Sequence, residues 1–190
     1  TPQFSPLLED DGIRPDSTME SLGRLKPVFD RRHGTVTAGN SSQISDGAGI
    51  LLVTTRERAQ GWGVKPLARI RAFAYAGLEP RRMGLGPAVA TARLLSGSKM
   101  KGSDLEWVEI NEAFSAQVLA VMRVFASPAL ARERLGLDPV LSPLDPAKVN
   151  VNGGAVALGH PVGASGSRLI LTLAHEMKIR DAGLGLATLC

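Results

Sequence analysis

From Gly49 onward the apolar positions fall into short runs separated by glycine, proline and charge, and the period of those runs changes repeatedly. Ile50 to Val53 is an apolar run, followed by a helix from Thr55 to about Gln60 that stops at Gly61. Leu67 to Tyr75 alternates apolar positions, which predicts a strand. Gly86-Pro87 opens a helix reaching about Leu95, with proline at a first-turn position where its missing N–H costs little. Leu105 to Ile110 predicts the next strand. The helix expected from Glu112 to about Phe125 carries Phe114, Val118, Met122 and Phe125 on one face.

The remaining segments complete the alternation. Ser127 to Pro146 is a proline-containing excursion with a short helical piece. A short strand at Val149 to Val151 leads into a glycine-rich loop, a long helix from about Gly163 to Lys178, and a final strand from Leu184 to Cys190. Residues 1 to about 40 are rich in proline, glycine and charge, with one short helix near Ser17 to Leu25 capped by Asp16 or Ser17. Strands alternating with helices predict an α/β layered fold.

Composition narrows the class. A 190-residue chain with 44% hydrophobic and 21% charged residues can bury a real core. No apolar run approaches the ~20 residues of a membrane span, and no basic-then-apolar leader opens the sequence. The net charge of +4 is carried by scattered Arg and Lys, adjacent only at Arg31-Arg32 and Arg81-Arg82. A nucleic-acid footprint clusters its charge, so nucleic acid is not the expected partner. One cysteine excludes an internal disulfide and a cysteine-built metal site, and points to a reducing compartment, the cytoplasm.

Three residues carry candidate chemistry. His160, in Gly159-His160-Pro161, lies just ahead of a helix, whose positive dipole end disfavours an imidazolium and keeps the ring able to accept a proton. A thiol nucleophile needs such a base. Cys190 ends a strand of small apolar residues and, as bare sequence, reads as a buried hydrophobe. Asn111 stands between a strand and a helix, where its amide also suits an N-cap. Gly153, Gly154, Gly163 and Gly166 form neither phosphate-loop pattern. Ser165 is not an esterase elbow, because Ser167 occupies the last glycine position. His175-Glu176 lacks the second histidine of a zinc helix, so no metal is expected.

Asn150 to Arg168 (NVNGGAVALGHPVGASGSR), the terminal GLATLC and Asn111-Glu112-Ala113-Phe114 together resemble the C-terminal signatures of the thiolases. These exchange acyl groups between coenzyme A thioesters through an enzyme cysteine. The resemblance covers nearly the whole chain, and implies a thiolase-like layered fold of two similar halves, each a mixed β-sheet with flanking helices. On that map residues 1–40 end a loop excursion, 41–65 complete the first half, and 66–190 form the C-terminal domain. Family members are about twice this length, so the chain is expected to be a fragment lacking most of the N-terminal half.

The resemblance also implies roles. His160 would activate a nucleophilic cysteine and help bind the thioester oxygen. Cys190, the chain's only cysteine, matches the second cysteine, which moves a proton at the acyl α-carbon. The nucleophile is therefore expected outside these residues, leaving the fragment inactive alone. Asn111 would hold a water that donates to the thioester oxygen. Ser42, in Thr37-Ala38-Gly39-Asn40-Ser41-Ser42, matches a coenzyme A contact, though as bare sequence it is a polar turn. Met83 and Phe114 match the acyl or pantetheine path and could equally be core, and Ala113 and Gly159 complete the expected binding set. Acyl-CoA and CoA are substrates, no cofactor is expected, and a homodimer or homotetramer is implied.

Two other classes compete. Ketoacyl-synthase-type condensing enzymes share fold and nucleophile, but use histidine where Asn111 stands and lack a terminal acid/base cysteine. The other is a non-catalytic module for acyl-CoA binding or assembly.

Overall fold

The structure, a computed structural model, describes residues 6, 8–10, 12–137 and 140–190. It divides into two compact units, Thr1–Gly39 and Asn40–Cys190. In the first, helix α1 spans Met19–Gly23. Its cap is Thr18, not Asp16 or Ser17. Thr18 Oγ1 accepts from the Ser21 amide at 3.0 Å and Ser21 Oγ accepts from the Thr18 amide at 2.9 Å, a reciprocal box that needs two hydroxyls three residues apart.

The second unit contains the sheet. Helix α2 (Arg56–Gly61) is capped by Thr55, whose hydroxyl accepts from the Arg58 amide. Helix α3 (Gly86–Ser98) follows a 3₁₀ turn over Pro80–Leu85 and ends where Lys99 turns left-handed at φ 56°. Strand β1 (Trp107–Ile110) precedes α4 (Ser115–Ala126), α5 (Pro128–Leu135), α6 (Ala155–Leu158), α7 (Val162–Ile179) and β2 (Gly185–Thr188). β1 and β2 pair in parallel, Val108 opposite Leu186 and Ile110 opposite Thr188. A parallel pair requires a crossover, and α7 is its last helix.

The alternation of β1 divides the packing into layers. Val108 and Ile110 join Ala88, Ala92 and Leu95 of α3 with Val121, Val124 and Phe125 of α4 in one apolar cluster. Phe125, Leu95 and Ile110 are fully buried, and burial of each stabilises by about 2–3 kcal/mol. Glu109 points the other way, to Arg168 of α7. Met122 packs at the cluster's edge and Phe114 stays outside it, so the buried face of α4 runs through Val118, Val121 and Phe125.

Three expected elements take another form. Leu67 to Tyr75 forms no ladder: residues 67–71 are exposed throughout, and the alternation survives only where Ala72 and Ala74 are half-buried and Phe73 and Tyr75 exposed. Alternation reports two different faces, whereas a strand also needs a partner for its backbone. The segment from Val149 to Val151 contributes one parallel bridge, Val149 to Val108. There the chain turns away because Asn150 adopts φ 48°, and its side chain takes over the sheet's hydrogen bonds. Asn150 Oδ1 accepts from the Ile110 amide at 2.8 Å and Nδ2 donates to the Ile110 carbonyl at 2.9 Å. Finally, α4 starts at Ser115 instead of Glu112, because Phe114 is extended and bridges Ser41.

Candidate active site

The C-terminal ends of β1 and β2 lie side by side, with the Asn111 amide donating to the Thr188 carbonyl at 2.9 Å. Two of the expected residues therefore emerge from one sheet edge: Asn111 directly after β1, and Cys190 two residues after Thr188. Open parallel sheets characteristically gather binding groups at this edge. Asn111 does not cap α4, whose N-cap is Phe114. Its side chain is fully buried and its Nδ2 lies 3.3 Å from His160 Nε2.

His160 reaches that position through a constrained turn. Gly159 has φ 86°, and a Cβ there would run into Ser45 Oγ, so both backbone and space demand glycine. The His160 amide donates to Ser45 Oγ at 3.3 Å, which ties the turn to the extended segment after Ser42. Pro161 then caps α7, setting the imidazole ahead of the helix's positive end. The other ring nitrogen, Nδ1, lies 2.6 Å from Ser165 Oγ.

Cys190 is exposed and its Sγ–H donates to the Met83 carbonyl at 2.9 Å. Gly86 brings α3's first turn against the same sulfur, where a Cβ would stand 3.3 Å away. Met83 itself is 60% exposed and is not core. Ser42 donates its amide to the Ala113 carbonyl at 2.9 Å, joining the polar loop to the Ala113-Phe114 segment, and Phe114 is half-buried. His160 and Asn111 are in direct contact. Cys190 contacts Met83, and Ser42 contacts Ala113, two residues along the chain from Asn111. Among the described residues no cluster of three His, Cys, Asp or Glu could hold a metal ion.

Sequence reasoning missed four residues. Ser45 lay unmarked in a polar stretch, and Ser165 was weighed only as an esterase nucleophile. Its five-residue spacing from His160, placing it in the helix that follows the histidine loop, was the usable signal. Glu109 and Arg168 form a buried pair behind the site, N···O 3.5 Å, and a lone carboxylate within Trp-Val-Glu-Ile was the clue. Glu109 is 2% exposed and its Oε2 has no hydrogen-bond partner. Burial pushes its carboxyl up to about 7; Arg168 opposes the rise and Glu176 adds to it.

The sign of the resulting pH dependence follows. Native Glu109 holds its proton to a higher pH than the unfolded chain, so its contribution is fully present below about 4.5 and is lost as pH rises through about 7. That interval corresponds to roughly 3 kcal/mol. Urea midpoints of the protein measured from pH 4.5 to 8 should decline, and Glu109→Gln should flatten the decline. Parallel curves for the two proteins would assign the slope to other groups.

Comparison with known proteins gives a consistent picture. The model for "Thiolase, C-terminal domain" matches residues 64–190, and that for "Thiolase, N-terminal domain" matches residues 3–57. A 3-ketoacyl-CoA thiolase of Pectobacterium carotovorum is 44% identical over 190 residues, all of this chain and 44% of the relative. An acetyl-CoA acetyltransferase of Cupriavidus necator is 46% identical over 181 residues, covering 95% of this chain and 42% of the relative. The acetyl-CoA acetyltransferase structure from Bacillus anthracis superposes with a TM-score of 0.79 at 42% identity, over 96% of this chain and 42% of that one. Human mitochondrial 3-ketoacyl-CoA thiolase in complex with CoA gives 0.76 at 37% identity, over 95% and 41%. The chain thus spans less than half the length of these proteins. No helix among the described residues is long and apolar enough to cross a membrane.

Proposed function

Because this chain belongs to the thiolase family, we propose that it works, within a protein of its relatives' length, as the acid/base half of an acetyl-CoA acyltransferase. The substrates are 3-ketoacyl-CoA and CoA in cleavage, or two acetyl-CoA in condensation. The observation that carries this reading is the contact between His160 Nε2 and Asn111 Nδ2 at the strand edge from which Cys190 also emerges.

In cleavage, a cysteine outside these residues attacks the 3-keto carbon, His160 having taken its proton. The bond between C2 and C3 breaks, its electron pair goes to C2, and the Cys190 thiol protonates that carbon to release acetyl-CoA. The acyl group left on the nucleophile passes to the sulfur of CoA, whose proton returns to Cys190, and the departing nucleophile sulfur recovers its proton from His160. Condensation runs the same steps in reverse. Asn111 supports the thioester oxygen through a water, a role its buried and otherwise unpartnered Oδ1 suits. Ser42, Ala113, Phe114, Met83 and Gly159 form the path for the pantetheine arm and acyl chain. The exposed free thiol of Cys190 suits a reducing compartment, the cytoplasm, and a homodimer or homotetramer is the expected assembly.

The test is thiolysis of acetoacetyl-CoA and 3-ketodecanoyl-CoA with free CoA by the full-length protein. Loss of substrate with formation of acetyl-CoA is the expected result, and the preferred substrate gives the chain-length class. Tight acyl-CoA binding without turnover would support the binding-module reading instead.

A further inference from the structure

We propose that Ser165 is a positioning residue for His160, holding its imidazole as the Nδ1–H tautomer so that the bare nitrogen is Nε2, which faces Asn111 at the sheet edge. Ser165 is fully buried on α7, and its hydroxyl is anchored at the start of that helix. Oγ–H donates to the Pro161 carbonyl at 3.1 Å, the same carbonyl that accepts the Ala164 and Ser165 amides in the first turn. A hydroxyl has one proton. With that proton committed to Pro161, Oγ meets Nδ1 at 2.6 Å as an acceptor, so Nδ1 carries the hydrogen.

The other side of the ring agrees. Nε2 then has a free lone pair, and the group facing it at 3.3 Å is Asn111 Nδ2, a donor. The chain Asn111 Nδ2–H to Nε2, Nδ1–H to Ser165 Oγ, and Oγ–H to the Pro161 carbonyl has one donor and one acceptor at every link. The reverse chain sets an Nε2–H against the Asn111 Nδ2–H and requires that buried amide to turn over. Which imidazole nitrogen is bare is set by the hydrogen bond at the other one. A base that takes a thiol proton through Nε2 needs this tautomer in its resting state. That catalytic consequence rests on the acyltransfer reading, whereas the tautomer is a property of the folded site.

The experiment is two-bond ¹H–¹⁵N correlation spectroscopy of histidine side chains in the full-length protein, with His160→Gln identifying the resonance. In the wild type, above the pH at which the ring is neutral, His160 is expected as the Nδ1–H form. In Ser165→Ala the population should move to Nε2–H, and Ser165→Cys, with its poorer acceptor, should fall between. Thiolysis by Ser165→Ala should then lose kcat with KM little changed. An Nε2–H form in the wild type overturns the proposal even if no variant folds, and so does an Nδ1–H form that survives in Ser165→Ala. Absence of thiolysis in the wild type would instead count against the acyltransfer reading and leave the spectroscopic result to stand on its own.

Discussion

Thiolysis by the His160→Ala protein is expected to fall by about 10³–10⁴-fold in kcat, with KM for the 3-ketoacyl-CoA changed only a few-fold. In the proposed mechanism the ring is the base that takes the proton of the nucleophilic thiol. Its two nitrogens are each addressed by a buried side chain, Asn111 at 3.3 Å and Ser165 at 2.6 Å. Removing the ring leaves the nucleophile with solvent as its base and removes one donor to the developing oxyanion, so the loss belongs to the transition state. The check is steady-state kinetics together with trapping of the acyl-enzyme in a single turnover. Turnover within tenfold of wild type would return His160 to a structural role.

Cys190→Ala is the second large effect, and it separates differently. Deleting the thiol should lower kcat by about 10²–10⁴-fold, the usual range for a positioned acid or base. The decisive readout is hydrogen exchange at the acyl α-carbon. The wild type is expected to exchange the methyl protons of acetyl-CoA for deuterium from heavy water, a reaction that needs an α-carbon base but no net turnover. Loss of that exchange in Cys190→Ala, followed by proton NMR, identifies the thiol as the group that moves the proton. Among the described residues the Sγ–H donates to the Met83 carbonyl, a single contact that leaves the thiol able to turn toward substrate. Exchange that persists undiminished would assign the proton transfer elsewhere.

The readable parts of this molecule are those whose signal is local. Gly86-Pro87 and the apolar residues behind it located α3, and the helix expected from about Gly163 to Lys178 is α7 within one residue at each end, because a helix satisfies its own backbone. His160, Asn111 and Cys190 were singled out because their motifs resemble the thiolase signatures, and the structure brings His160 and Asn111 into contact at the sheet edge from which Cys190 emerges. The failures share a cause in partnership between distant segments. Leu67 to Tyr75 has a strand's alternation without a ladder. Val149 to Val151 is cut to one bridge because an asparagine side chain does the backbone's work. Asn111 suited a cap in sequence, yet α4 opens three residues later because Phe114 pairs with Ser41, 73 positions upstream, a contact that no local pattern encodes. The Glu109–Arg168 pair was missed for the same reason, since it joins β1 to α7 across the fold, whereas Ser165 lies only five residues from His160 and its signal was passed over.

The turn at Gly159 also sets where this site can be redesigned. Its φ of 86° and the Ser45 hydroxyl pressed against it leave no side chain that fits at this position, so variation there fails before any question of substrate arises. A library built to test the acyl path proposed for residues 83 and 114 should therefore diversify those two positions and hold residue 159 constant.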